Sequence, residues 1–391
     1  MRLVDTADVA GKRVLVRVDF NVPLADGTVT DDTRIKAALP TINWLLQHQA
    51  RVILASHLGR PSGSGFEEKY SLAPAARVLG RILSRDVQLV GEVTGETALA
   101  ASKVLSSGQV MMIENLRFDP REKKNDDGFA TELAALADLY VNDAFGAAHR
   151  AHASTTAIAT LLPSYAGFLL AREVETLTAM LASPKRPFIA ILGGSKVSDK
   201  LKVIDTLLDT VDSLLIGGGM CFTFLAAKGY ETGLSLCENN WIERASALLA
   251  KAKKNGVRLL LPLDVLAAAE ASEGADTCIC AVDEIPAGLK GLDIGPATSE
   301  LYAREIARAA TVFWNGPMGV FELTPFARGT KQLARALSLN EAATTIIGGG
   351  DSVAAVKKFG YDSKISFIST GGGASMELIE GALLPGVVAL G

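Results

Sequence analysis

The segment Ile191 to Leu201, ILGGSKVSDKL, leaves an apolar run, passes two glycines and delivers Lys196 and Lys200 four residues apart. Glycine amides at the end of a strand, with ammonium groups close behind, can hold phosphate: the amides donate to the anion and the lysines supply charge. A pair of lysines on a solvated helix face is the competing explanation, and the position directly after a glycine turn favours phosphate contact. The loop is not a Walker A loop, whose glycine and lysine spacing is absent here and elsewhere in the chain. Nor is there a dinucleotide fingerprint, because the three glycine triplets carry Phe222, Val353 or Met376 where a small residue is required.

What positions these groups is a repeated alternation of short apolar runs and amphipathic stretches. RVLVRVDF, RVILAS, VQLV, QVMMIEN and LYVND occupy the first half; PFIAILGG, SLLIGGG, VRLLLPLD, TCICAV, TVFWNG, TTIIGGG and ISFISTGG occupy the second. Uniformly apolar strands between helices predict parallel sheet covered on both faces. The expected fold class is α/β: two doubly wound, Rossmann-like parallel-sheet domains facing each other across a cleft. An amphipathic helix from about Leu169 to Ala182, closed by Ser183, Pro184 and Pro187, links them.

Ligands of such sheets bind beyond the carboxyl ends of the strands. In the first half those ends carry Asp19, Asn21, His57, Arg60, Arg117, His149, Arg150 and His152, with Arg34 at the start of the next helix. In the second half they carry glycines: GGSK, GGGM, WNGPMGVFE, GGGDS and TGGGAS. One half is suited to a small anion and the other to phosphates lying on helix N-termini. His149 and His152 could also share a helical face as metal ligands, but they lack a thiol or carboxylate partner. Phosphohistidine chemistry is a further alternative.

Composition narrows the classes. A chain of 391 residues, 49% hydrophobic and 21% charged, has material for two cores, and its net charge of -4 argues against nucleic acid as partner. Cys221, Cys237, Cys278 and Cys280 form no C-x-x-C pair and are expected to be reduced core thiols. The N-terminus lacks the apolar run of a signal peptide and no long uncharged apolar stretch follows, so a cytoplasmic protein with no membrane segment is expected.

In order and over essentially the whole chain, VLVRVDFNVPL, SHLGRP, ENLRF, DAFGAAHRAHAST, GGSKVSDK, LLIGGGM, GLDIGPAT, WNGPMGVFE, GGGDS and STGGGASMELIEG resemble the phosphoglycerate kinase family. The resemblance implies phosphoryl transfer between ATP and the carboxylate of 3-phosphoglycerate with Mg2+, run toward ATP in glycolysis, by a monomer with no nucleic-acid or membrane partner. It implies that Asp19, Asn21, Arg34, His57, Arg60, Arg117 and Arg150 hold the phosphoglycerate. Gly194, Lys200, Gly218, Leu292, Asn315, Pro317, Val320, Glu322, Gly349, Gly350, Asp351 and Ser352 would form the nucleotide site. Arg34, Lys196, Lys200, Gly371, Gly372 and Gly373 would serve the transferring group, and Asp351 the metal. The implied division is 1–168 for phosphoglycerate, 169–186 for the linking helix and hinge, 187–372 for nucleotide, and 373–391 for a terminal segment returning to the first domain. Ser195, Ala147 and Ala297 depart from the commoner residues of the family and bear on nucleotide affinity alone.

The chemistry agrees with this inventory of residues. A carboxylate acceptor is already ionised at neutral pH and needs no general base, whereas two anions approaching each other need cations and oriented amides. Two other classes compete: a nucleotide-dependent oxidoreductase, which requires the missing dinucleotide fingerprint, and a two-lobed solute-binding protein, which predicts a secretion signal and no second glycine set.

Overall fold

The computed structural model describes all 391 residues, which form two compact units: Met1–Thr176 together with Ala382–Gly391, and Leu177–Gly381.

The first unit is built on six parallel strands in the order Gln88–Val90, Val110–Ile113, Arg51–Ala55, Arg13–Arg17, Leu139–Asn142 and Ser164–Ala166. In its centre Val16 lies between Leu54 and Val141, and both faces of these strands are buried, which is why they read as unbroken apolar runs. One face packs on helices Leu39–Gln47 and Ala73–Leu83 through Ile42, Leu45, Ala75 and Leu79. The edge strand Ser164–Ala166 escapes the sequence reading: it is three residues long, and SYA has no pattern of its own. The chain terminus belongs to this unit. Gly386 donates its amide to Ala148 O at 2.8 Å and accepts from Asn142 Nδ2 at 3.2 Å.

The second unit repeats the plan with parallel strands ordered Arg258–Leu260, Ser213–Ile216, Phe188–Leu192, Thr311–Asn315, Thr344–Gly348 and Phe367–Ile368. Ile189, Ile191, Val312, Trp314 and Ile347 cover one face together with Tyr302 and Ile306 of helix Pro296–Arg308 and Leu333 and Leu337 of helix Arg328–Leu339. One expectation fails here. TCICAV is not a buried strand of the parallel sheet: Cys278–Ala281 is the edge of a separate antiparallel sheet, beside Asp264–Ala268 and then Lys290–Ile294. An apolar run of four residues fits an exposed edge as well as a core, and length alone does not separate them. Of the cysteines only Cys221 is a core thiol; Cys278 is exposed, and Cys237 and Cys280 are half-buried.

Helix Phe168–Ala182 spans the boundary between the units. Its first amides are satisfied from the first unit: Thr41 Oγ1 accepts from Phe168 N at 2.9 Å, and Asp143 Oδ1 from Leu169 N and Leu170 N at 2.9 and 3.2 Å. Glycine is required just before the helix, since a Cβ on Gly167 would collide with the Asp143 carboxylate. Burial pushes the Asp143 carboxyl up to about 7, against the pull of these donors. Asp143→Ala strands the Leu169 and Leu170 amides at a helix start and should cost about 1 to 2 kcal/mol, with Asp143→Asn losing less because an acceptor remains. Urea unfolding checks this; an alanine variant as stable as the parent would remove Asp143 from its capping role.

Candidate active site

The polar residues of the first unit converge after four adjacent strands. Helix Thr33–Ala37 carries Arg34, whose Nη1 donates to Asp19 Oδ2 at 3.0 Å and to Asn21 O at 3.2 Å. Asn21 Oδ1 accepts from Gly59 N at 2.8 Å, while Arg117 Nη1 donates to Gly59 O at 2.7 Å, so this one residue is gripped on both its polar groups. Gly59 has a φ of 61°, and a Cβ there would sit 2.5 Å from the Tyr70 ring.

Beneath this layer lies Arg17, 1% exposed and absent from the sequence-level candidates. Its Nε donates to Ser154 Oγ at 3.0 Å and its Nη2 lies 3.0 Å from His57 Nδ1. A guanidinium can only donate, so His57 Nδ1 is the acceptor and its proton sits on Nε2. The ring stays neutral: burial, then Arg17, Arg117, Arg34 and His152, hold its pKa well below the ordinary 6.5. Burial, then Arg17, Arg117 and Arg150, take His152 down to about 4, and burial with Arg17 and Arg150 takes Arg117 to about 10. Besides Asp19, which pairs with Arg34, the buried acid of the cluster is Glu122, which accepts from Ser154 Oγ at 2.6 Å and Ser154 N at 3.0 Å and stands 3.7 Å from His152 Nδ1. Burial raises its pKa against the pull of Arg17. Cations thus outnumber acids, and neutral histidines complete the set. Such a site is prepared for an anion of more than one charge. Arg150 is at its exposed margin, donating from Nε to His149 Nε2 at 2.9 Å. Arg60 follows Gly59 in the chain but is exposed and makes no hydrogen bond or ion pair.

In the second unit the glycine-bearing strand ends close on one another. Gly193 N donates to Asn315 O at 2.9 Å, Gly194 N to Pro317 O at 2.9 Å, and Gly218 N to Met318 O at 3.1 Å. Gly218 has a φ of 63°, and a Cβ on it would lie 2.5 Å from Gly194 N; no larger residue fits between these turns. They border a cavity of about 610 Å³ walled by Gly194, Gly218, Leu292, Pro317, Val320, Glu322 and Asp351, with Phe222, Leu234 and Leu236 supplying apolar surface. A smaller cavity of about 170 Å³ adjoins it, lined by Lys196, Asp199, Lys200, Asn315, Gly349, Gly350, Asp351 and Ser352. The sizes and linings suit a flat apolar ring system in the first and its phosphates in the second. Helix Gly350–Lys358 starts at the smaller cavity and brings its N-terminal amides there, while Ser352 Oγ accepts from Gly316 N at 2.6 Å.

Lys200 precedes helix Leu201–Leu207, and its Nζ hydrogen-bonds to Asn315 Oδ1. Burial lowers its pKa to about 8, opposed by the charges of Asp199 and Asp351. Lys196 is exposed in the same loop. The loop is fixed by Glu238, which accepts from Ser198 N at 3.0 Å and Ser198 Oγ at 2.7 Å. Asp293, buried and pushed up to about 7 by that burial, lines the larger cavity and accepts from Gly329 N at 2.7 Å and Ile294 N at 2.9 Å. Gly371, Gly372 and Gly373 lie between strand Phe367–Ile368 and helix Gly373–Ile379 and line neither cavity; Gly371 N donates to Ser369 Oγ at 3.1 Å. No group of three or more His, Cys, Asp or Glu side chains stands together as a metal site. Asp351 beside a phosphate-sized cavity still fits Mg2+, which takes one or two carboxylates and completes its shell with water and substrate phosphates.

Of the residues missed in the sequence, Arg17 left a signal, a charge inside an otherwise apolar strand. Asp199 lay within the quoted loop. Glu238 left none, since its partner is 40 positions away.

Residues 4–382 match the family model described as phosphoglycerate kinase. A phosphoglycerate kinase of Moorella thermoacetica is 57% identical over 379 residues, covering 97% of this chain and 96% of that one. Among solved structures, phosphoglycerate kinase from Coxiella burnetii is 42% identical with a TM-score of 0.89, covering 99% of this chain and 98% of its own. That from Pyrococcus horikoshii is 32% identical with a TM-score of 0.87, covering 100% and 98%. A match this complete in sequence and in fold, on a chain whose strand ends carry an anion site and a nucleotide-sized cavity, has one meaning: the chain belongs to the phosphoglycerate kinase family.

Proposed function

We propose that this chain, a kinase transferring phosphate between ATP and 3-phosphoglycerate, divides the two substrates between its units. The observation that carries the assignment is the contrast between them: a cluster of arginines around a neutral His57 in one, and a glycine-walled cavity beside Lys200 in the other. In this reading Asp19, Asn21, Arg34, His57, Arg60, Arg117 and Arg150 hold 3-phosphoglycerate. His57 donates from Nε2, and the arginines engage phosphate and carboxylate through paired N–H groups. The larger cavity holds the nucleotide base and sugar and the smaller one its phosphates. Functionally, 1–168 is the phosphoglycerate domain, 169–186 the hinge, 187–372 the nucleotide domain, and 373–391 the returning terminal segment. In this reading the protein acts in the cytoplasm as a monomer on small molecules alone.

The reaction is direct. A carboxylate oxygen of 3-phosphoglycerate attacks the terminal phosphorus of ATP, the new O–P bond forms as the bond to the bridging oxygen breaks, and ADP leaves with the electron pair. No proton moves, so no base is required. Lys196, Lys200, Arg34 and the amides of Gly371 to Gly373 compensate the charge spreading over the phosphoryl oxygens. Mg2+ held by Asp351 neutralises nucleotide phosphate charge when bound. Reacting atoms must come to near contact, so turnover requires the units to bring their substrates together and exclude water.

Asp351→Ala should lower kcat at least tenfold at saturating Mg2+ and leave 3-phosphoglycerate affinity within twofold; steady-state kinetics with calorimetry of phosphoglycerate binding decide it, and an unchanged kcat refutes the metal role. Lys200 gives a pH signature. Its depressed pKa means that the empty site releases the proton as pH rises through about 8, while a bound polyphosphate favours the ammonium form. ATP affinity should therefore decline above pH 8, and binding at pH 8.5 should take up a proton, seen as a dependence of calorimetric enthalpy on buffer ionisation heat. Lys200→Met should abolish that uptake. Equal uptake by the variant and the parent would move the effect to another group.

A further inference from the structure

The first unit has a second concavity, of about 590 Å³, that shares no lining residue with the site above. Its walls are the hairpin of Leu24–Ala25 and Thr28–Val29, the helix Ala73–Leu83 and the segment Arg85 to Leu89. The floor is apolar: Val29, Val87 and Leu89 are partly buried against the core of the unit. The rim is cationic. Arg77 and Arg81 stand one turn apart on the helix, and Arg85 follows after Ser84, whose φ of 51° ends that helix.

Helical surfaces are normally stabilised by pairing an arginine with an acid one turn away, and like charges at that spacing cost a few tenths of a kcal/mol. Here Arg77 and Arg81 are both exposed, neither side chain forms a hydrogen bond or ion pair, and Asp86 is the only acid among the lining residues. Arg85 is held in place, with Nη1 donating to Gly108 O at 2.8 Å and its amide to Gly80 O at 3.1 Å. The volume is in the range of small-molecule sites, which combine an apolar floor with a few convergent polar groups. A solvated helix face accounts for one unpaired arginine, but three around an apolar hollow lack a partner of opposite charge.

We propose that this groove binds an amphipathic anion: a small molecule whose flat apolar body lies on Val29, Val87 and Leu89 and whose phosphate, sulfonate or carboxylate is held by Arg77, Arg81 and Arg85. The guanidinium groups supply forked donors to the anion, and the floor contributes by removing apolar area from water. The ligand is distinct from both substrates of the transfer, because the nucleotide cavity and the phosphoglycerate cluster use other residues throughout.

The probe is 8-anilinonaphthalene-1-sulfonate, titrated by fluorescence into the full chain with saturating ADP and 3-phosphoglycerate, a non-reacting pair that fills both substrate sites. Saturable binding of one probe per chain is expected, weakened at least tenfold in the Arg77→Glu, Arg81→Glu double variant, with the methyl resonances of Val29, Val87 and Leu89 shifting in the parent. Turnover and melting temperature of the variant should match the parent; should it fail to fold, Arg77→Gln, Arg81→Gln takes its place and should also weaken binding tenfold. Absence of saturable binding, complete displacement by the two substrates, or equal affinity in parent and folded variant would each overturn the proposal.

Discussion

The constraint on which the site depends is charge. Two multiply charged anions have to meet, so the protein must hold positive charge where no substrate yet neutralises it. Two unit charges of the same sign 4 Å apart repel by about 4 kcal/mol near a protein surface, which is comparable with a large part of the stability of a domain. The first unit meets this cost by distributing it. Arg17 is buried and satisfied by Ser154 Oγ and His57 Nδ1, Glu122 offsets it from below, and His57 and His152 give up their own protons. The histidines add donors without adding charge.

In the proposed division of substrates, the second unit solves the related problem for a nucleotide with fewer cations. Its strand ends approach so closely that glycine is the only residue possible at Gly218, and the start of helix Gly350–Lys358 acts as a fixed partial charge beside them. Partial charges repel one another less than full ones. Lys196, Lys200 and Lys290 line the cavities of this unit; burial lowers the pKa of Lys200 to about 8, so its charge is most secure when phosphate is present.

The sheet architecture was legible because buried parallel strands must be apolar on both faces, and eleven of the twelve strands in the two main sheets fall within such runs of the sequence, Ser164–Ala166 being the exception. Where the rule fails, the reason is local. TCICAV is apolar yet lies on an exposed edge, and SYA is a strand because Leu139–Asn142 and its neighbours leave an edge for it to pair with. The site was legible wherever chemistry sits at a strand's carboxyl end: Asp19, Asn21, His57 and Gly194 follow their strands, and Asn315 closes its own. Arg17 was passed over because a charge within a strand was read as part of the run. Glu122, Ser154 and Glu238 act through contacts 32 and 40 residues away in sequence, which no local pattern encodes.

This difference between the units bears on which groups do which work. Arginine has a planar fork whose hydrogen bonds fix a carboxylate or phosphate in one orientation, and a stationary acceptor benefits from that rigidity. A phosphoryl group in transit changes its position during the reaction, and a lysine on a flexible stem keeps contact as it moves. Arg117 and Arg34 are each tied to backbone or carboxylate partners, whereas the Lys196 side chain is exposed and makes no hydrogen bond. In the proposed assignment the anchored Arg117 suits the substrate that stays, and the unanchored Lys196 suits the phosphoryl group that moves.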